Sequence, residues 1–100
     1  MTDFACSVLA VARKIPPGRL VSYGRLAALA GWPGRARGVG FVMRSQTDTT
    51  VPCHRVVFAD GRLAPEGTFQ NQGGQRALLE KEGIGFLPDG RADIKKHLWP

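Results

Sequence analysis

The sequence predicts a mainly helical α+β domain with a small β-hairpin, built around a helix-turn-helix. Three observations carry that expectation. Apolar residues recur at helical spacing in two short consecutive segments between Tyr23 and Arg44, joined by a glycine-containing turn. The apolar run Val56-Val57-Phe58 leads into Asp60-Gly61, a hairpin turn signal. One hundred residues with 43% hydrophobic content suit one globular domain over residues 1–100, with no room for a second.

Asp3 to Lys14 is expected as the first helix, with Thr2 as N-cap and Phe4, Val8, Val11, Ala12 and Ile15 on one face. Pro16-Pro17-Gly18 stops it. Ser22 is placed to cap a helix from Tyr23 to Ala30, with Leu26, Leu29 and Ala30 inward and Gly31 just past its end. Trp32-Pro33-Gly34 turns the chain into a third helix from Arg35 to about Arg44, with Ala36, Val39, Gly40 and Met43 on one face. Gly38 and Gly40 each cost that helix roughly 1 kcal/mol against alanine. Either close packing against another helix or close approach of a nucleic-acid backbone explains why side chains are absent there.

Ser45 to Thr50 is polar loop, and Arg62-Leu63 is expected to return after the Asp60-Gly61 turn. Ala64 to Gly74 is a second loop. Gln75 to Glu82 is a short helix ended by Gly83. Ile84, Phe86 and Leu87 pack beyond it, Asp89-Gly90 turns again, and the chain ends in Leu98-Trp99-Pro100.

Composition narrows the function. Fourteen basic residues against eight acidic ones leave a net charge of +6. Nine of those basic residues and only two acids lie between Arg13 and Arg62, so the excess belongs to the segment holding the helix-turn-helix. Ten of the fourteen are arginine, the side chain suited to forked phosphate contacts. The partner class is therefore a polyanion rather than an acidic metabolite. Two cysteines exclude a disulfide scaffold. No apolar run approaches the roughly 20 residues of a membrane span, so no membrane role is expected. The start MTDFACSVLA lacks a basic signal-peptide region, and a cytoplasmic, nucleoid-associated protein is expected.

Cys53 carries the candidate chemistry. A nucleophilic cysteine acts as its thiolate, and neighbouring cationic groups lower the thiol pKa. His54 and Arg55 are placed to supply that field, and Pro52 stiffens the approach. A neutral His54 takes the thiol proton through a water if an acid holds its tautomer. Glu82 is the candidate for that third role, ahead of Glu80. By itself a Cys-His pair is more often structural than catalytic. Cys6 is expected as a small core residue. Without a C-x-x-C pair, and with Cys6 and His97 scattered, no metal site is expected, nor any cofactor.

Four segments in register resemble the O6-alkylguanine-DNA alkyltransferase family. Pro52-Cys53-His54-Arg55-Val56-Val57 resembles its active-site signature. Val21-Ser22-Tyr23-Gly24-Arg25-Leu26-Ala27 resembles its tyrosine-bearing helix start. Ala36-Arg37-Gly38-Val39-Gly40 resembles its recognition helix, and Leu78-Leu79-Glu80-Lys81-Glu82-Gly83 its Leu-Leu-x-x-Glu-Gly segment. The resemblance spans Phe4 to Gly83. It implies a winged helix-turn-helix that binds duplex DNA through the minor groove and flips O6-alkylguanine. The alkyl group then moves to cysteine in a single turnover. It makes Cys53 the acceptor, His54 the water-mediated base and Glu82 the partner of His54. It also makes Tyr23 a phosphate and base contact, and Arg37 the finger that fills the vacated stack. Ser22, Ala36, Gly38, Arg44 and Arg55 are expected at the DNA, and Tyr23, Val51, Pro52 and Val56 around the base.

Three departures qualify the resemblance. The family's N-terminal domain is expected to be absent. Its asparagine linking recognition helix and active-site strand has no clear match, with Ser45 and Gln46 nearest. Its glycine-tyrosine-x-x-glycine loop is replaced by Glu66-Gly67-Thr68-Phe69-Gln70-Asn71, where Thr68 is the substitute for a missing serine. Size, the Gln75-Arg76 segment and the Trp99-Pro100 tail resemble the alkyltransferase-like proteins. Those bind the lesion without repairing it, flag it for nucleotide excision repair, and carry a non-cysteine residue at the position of Cys53. The expected function is thus a stoichiometric, monomeric alkyltransferase. The alternative is a non-enzymatic recogniser that has excision-repair proteins as partners.

Overall fold

The computed structural model describes residues 3–48, 50–64 and 74–100. The order is α1 (Asp3–Ala12), β1 (Val21–Ser22), α2 (Tyr23–Leu29), α3 (Ala36–Arg44), a 3-10 turn (Cys53–Arg55), β2 (Val56–Val57), α4 (Gln75–Lys81) and α5 (Ile94–His97). The expected N-cap Thr2 lies outside the described residues.

α1 buries Val8, Leu9 and Ala12, with Ile15 just beyond. It ends before Lys14 because Pro16 and Pro17 force the chain to extend. The last amides tighten accordingly: Lys14 N–H donates to Val11 O at 3.0 Å and Ile15 N–H to Ala12 O at 3.1 Å. Cys6, expected in the core, is exposed. It stands two positions from Phe4 and from Val8, which is the opposite side of a helix.

Ser22 caps α2 as expected, its Oγ accepting from the Arg25 amide at 3.1 Å. At the other end Gly31 adopts φ +91°, the Gly31 amide donates to Ala28 O, and the Trp32 amide donates to Ala27 O at 2.9 Å. That pair of bonds is a Schellman motif, and it reverses the chain into α3. Leu29, expected inward, is instead partly exposed beside this turn.

α3 buries Val39, Val42 and Met43. Its two glycines do different things. A Cβ on Gly38 would stand 2.9 Å from Phe4 Cζ, so this glycine lets α1 cross α3 closely. A Cβ on Gly40, itself buried, would meet only the end of Arg44.

The sheet differs from the hairpin expected. The Asp60-Gly61 turn forms, with Phe58 N–H donating to Arg62 O at 2.9 Å. β2, however, pairs in parallel with β1, Val21 opposite Val56 and Ser22 opposite Val57. The other side of β2 is met by the Gln75 side chain, whose Nε2 donates to His54 O and Val56 O while its Oε1 accepts from the Ala64 amide. This amide group takes the place of a returning strand, which is why residues 62–64 do not pair as one.

The main core joins α1, α2 and α3 to Val51, Cys53 and Val56. A smaller cluster joins Leu20, Val57, Leu79, Ile84 and Ala92. The chain end closes over both: Leu20 N–H donates to His97 O and Trp99 N–H to Leu20 O, each at 2.8 Å, and Trp99 packs on the main core. The result is the mainly helical fold with a small sheet that the sequence led one to expect.

Candidate active site

Pro52, Cys53 and His54 turn sharply because the Cys53 amide donates to Val51 O at 2.8 Å and the Arg55 amide to Pro52 O at 3.0 Å. The turn buries Cys53, which is 7% exposed, and directs His54 and Arg55 toward the end of α4. Glu82 caps that end. His54 Nε2 lies 2.9 Å from Glu82 Oε2. With Nε2 protonated, His54 donates to the carboxylate and keeps Nδ1 as an acceptor. This is the pairing expected for His54 and Glu82. Glu80 is exposed and faces Arg76 at 3.7 Å instead.

Arg55 is placed differently from expectation. Its Nη2 lies 2.6 Å from Glu82 Oε2, its Nε donates to the same carboxylate, and its Nη1 donates to Ile15 O at 2.7 Å. The guanidinium therefore clamps α4 to the end of α1. It is committed inside the fold by these partners.

The charges follow from this clamp. Burial acts to raise the Glu82 carboxyl, but hydrogen bonds and charge from Arg55 and His54 outweigh it and hold the group at about 2. Both basic neighbours of Cys53 are thus paired with Glu82. The thiol is pushed up to about 11 by burial, with a smaller contribution from the negative Asp48, and a backbone hydrogen bond only partly opposes this. In the free protein Cys53 is thus a neutral thiol, contrary to the lowered pKa expected. At neutral pH the thiolate is a minor species. Limited iodoacetamide treatment followed by peptide mapping should label the exposed Cys6 and spare Cys53.

Beside the thiol, Tyr23 at the start of α2 stacks edge-on against Phe58, ring centroids 5.1 Å apart. Burial raises the phenol pKa; the Arg44 charge lowers it and Cys53 raises it further. A cavity of about 280 Å³ opens here, lined by Tyr23, Ala36, Arg37, Gly40, Arg44, Phe58 and Ala64. A second of about 360 Å³ adjoins it and shares Tyr23, Ala36 and Phe58. Both are near the lower end of the roughly 300–1,000 Å³ of small-molecule sites.

The cavity gathers Tyr23, Ala36, Arg37 and Arg44 from the expected residues. Arg37 is exposed and has no hydrogen-bond or ion-pair partner among the described residues. Val51, Pro52 and Val56, expected around the base, are buried, and Val51 and Val56 belong to the main core. Ser22 spends its hydroxyl on the α2 cap. Ser45 Oγ donates back to Phe41 O at 2.8 Å, so it does not bridge to β2. The Glu66 to Asn71 segment, with Thr68, lies outside the described residues.

Phe58 and Ala64 escaped sequence reasoning as cavity residues, as did the buried role of Gln75. Phe58 was read as the end of a buried strand, although an aromatic directly after Val56-Val57 falls where the strand leaves the core. Gln75 had no signal: a glutamine opening a helix reads as solvated, yet it is 5% exposed. Among the described residues no three histidine, cysteine or acidic side chains group as a metal site. His97 is bound structurally, its Nε2 accepting from the Gly85 amide and its Nδ1 donating to Gly18 O.

Residues 3–84 match the family model described as 6-O-methylguanine DNA methyltransferase, DNA binding domain. The chain is 32% identical to a DNA base-flipping protein of Vibrio parahaemolyticus, over 99% of this chain and 98% of that one. It is 43% identical to a methylated-DNA–protein-cysteine methyltransferase of Mycobacterium bovis over 81% of this chain, and it spans 48% of that relative. Among solved structures it superposes with a TM-score of 0.84 on S. pombe Atl1 in complex with damaged DNA containing O6-carboxymethylguanine. That match has 28% identity and covers 100% of this chain and 97% of Atl1.

Proposed function

The chain belongs to the 6-O-methylguanine DNA methyltransferase family through its DNA-binding domain, and on that premise we propose that it binds duplex DNA carrying O6-alkylguanine, turns the base out and accepts the alkyl group on Cys53. The observation that carries this reading is the His54–Glu82 pair at 2.9 Å, immediately beside a buried cysteine.

The chemistry balances without a cofactor. The Cys53 proton passes through water to His54, whose tautomer Glu82 holds. The sulfur attacks the alkyl carbon, the C–O6 bond breaks, and its electron pair returns to the guanine. The guanine regains a proton from the Tyr23 hydroxyl in the cavity, and the proton held by His54 returns through water to the phenolate, so both side chains end as they began. The product is a thioether, so the protein acts once. Because the thiol starts near 11, its proton leaves to His54 only as the bound lesion brings the alkyl carbon in line with the sulfur. The free arginines of α3 supply phosphate affinity, and Arg37 takes the place of the extruded base. The protein acts as a cytoplasmic monomer at the nucleoid.

A second reading, lesion recognition without transfer, is favoured by the neutral thiol and by the full-length match to a base-flipping protein. Excision-repair proteins are partners only under that reading.

Fluorescence anisotropy on two duplexes, one with O6-methylguanine and one with guanine, tests what both readings share. The lesion duplex should bind more tightly, and affinity should fall steeply with salt. Equal affinity for the two duplexes, or a flat salt response, would contradict the proposal.

A further inference from the structure

The face of α3 turned away from the core presents Arg37, Phe41 and Arg44, at i, i+4 and i+7. Val39, Val42 and Met43 fill the opposite face. Phe41 is 66% exposed, the most open large apolar side chain among the described residues. A single exposed apolar residue needs no explanation. This one stands between two arginines that have no ion-pair partner among the described residues, and beside Gly40, which opens onto the cavity. An apolar ring flanked by free guanidinium groups suits a partner that offers phosphates and stacked bases together.

We infer that Phe41 is a second wedge on duplex DNA, entering a base step next to the flipped lesion. This rests on the reading that α3 meets the DNA. Arg37 and Phe41 lie about 6 Å apart along the helix axis, which is roughly two base-pair rises of 3.4 Å. Arg37 fills the vacated position, and Phe41 unstacks a step within two pairs of it. Partial unstacking by an apolar side chain bends the duplex and lets it meet more protein surface. The contact is independent of sequence, as a lesion finder requires.

The test compares wild type, Phe41→Ala and Phe41→Trp on an O6-methylguanine duplex with 2-aminopurine two steps from the lesion. Phe41 is exposed, so both variants should fold, which circular dichroism verifies. Phe41→Ala should bind about tenfold more weakly, within the range of aromatic stacking on bases. It should also lose the rise in 2-aminopurine fluorescence, and Phe41→Trp should keep both. Wild-type affinity with an unchanged fluorescence rise in Phe41→Ala would overturn the inference alone. Weaker binding with an unchanged rise would also overturn it, making Phe41 a backbone contact. If wild type itself shows no preference for the lesion duplex, the proposed function fails first.

Discussion

Glu82→Ala should destabilise the fold by roughly 3–5 kcal/mol, the range for breaking a buried ion pair from one side. Glu82 is the shared acceptor of His54 and Arg55, and all three side chains are only 15–16% exposed. Its loss leaves the Arg55 guanidinium with Ile15 O alone and frees the His54 ring. The melting temperature should drop by more than about 10 °C in a domain of this size. Glu82→Gln keeps the shape and an acceptor oxygen, so it should lose less.

The same residue sets the acid limit. A folded-state pKa of about 2 against an ordinary 4.5 means that the Glu82 contribution is complete above pH 4.5. It is then lost as pH falls through 2. A shift of that size corresponds to about 3 kcal/mol, in line with the lower end of the mutational range. Thermal melts between pH 7 and pH 2 should show wild type falling steeply below 4.5 and Glu82→Gln falling less. Parallel curves would mean that the clamp does not stabilise the fold.

Arg37→Ala should weaken lesion-duplex binding by roughly 10- to 100-fold with the fold intact, because extruding a base costs a few kcal/mol that an inserted side chain partly offsets. Arg37 is exposed at the rim of the Tyr23 cavity and makes no contact that the fold needs. The discriminating comparison is with undamaged DNA. An arginine that only touches phosphate weakens all sequences equally and lowers the salt slope by about 1. A finger loses its advantage on the lesion duplex first. Anisotropy titrations of both duplexes separate the two, and an equal loss on each would reduce Arg37 to a phosphate contact.

What the sequence disclosed, and what it withheld, divides along physical lines. Local signals were legible: Ser22 as a cap, Gly31 past the helix end, the apolar stripe of α1, and the order of the four family-like segments. Glu82 was reachable because the chemistry at Cys53 needs an acid. Direction was not legible. Arg55 counts as a positive charge in sequence, yet it points inward, and nothing local reveals that Glu82 would take both it and His54. The thiol was expected to be activated because its neighbours are basic; burial, with a smaller push from Asp48, reverses that. A two-residue strand such as Val56–Val57 has no periodicity to read, so its parallel partner, set by the return of β1 through the core, stayed hidden. Gly38 had two open explanations, and the position of Phe4, invisible in the sequence, supports the packing one.

The central claim is that Cys53 accepts an alkyl group from DNA. An intact-protein mass spectrum taken after incubation with an O6-methylguanine duplex tests it most directly. The account predicts a gain of one methylene mass, about 14 Da for the atoms moved in the transfer, stoichiometric and absent in Cys53→Ala. An unchanged mass in a protein that still binds the lesion duplex tightly would contradict it and leave a recogniser whose cysteine is inert.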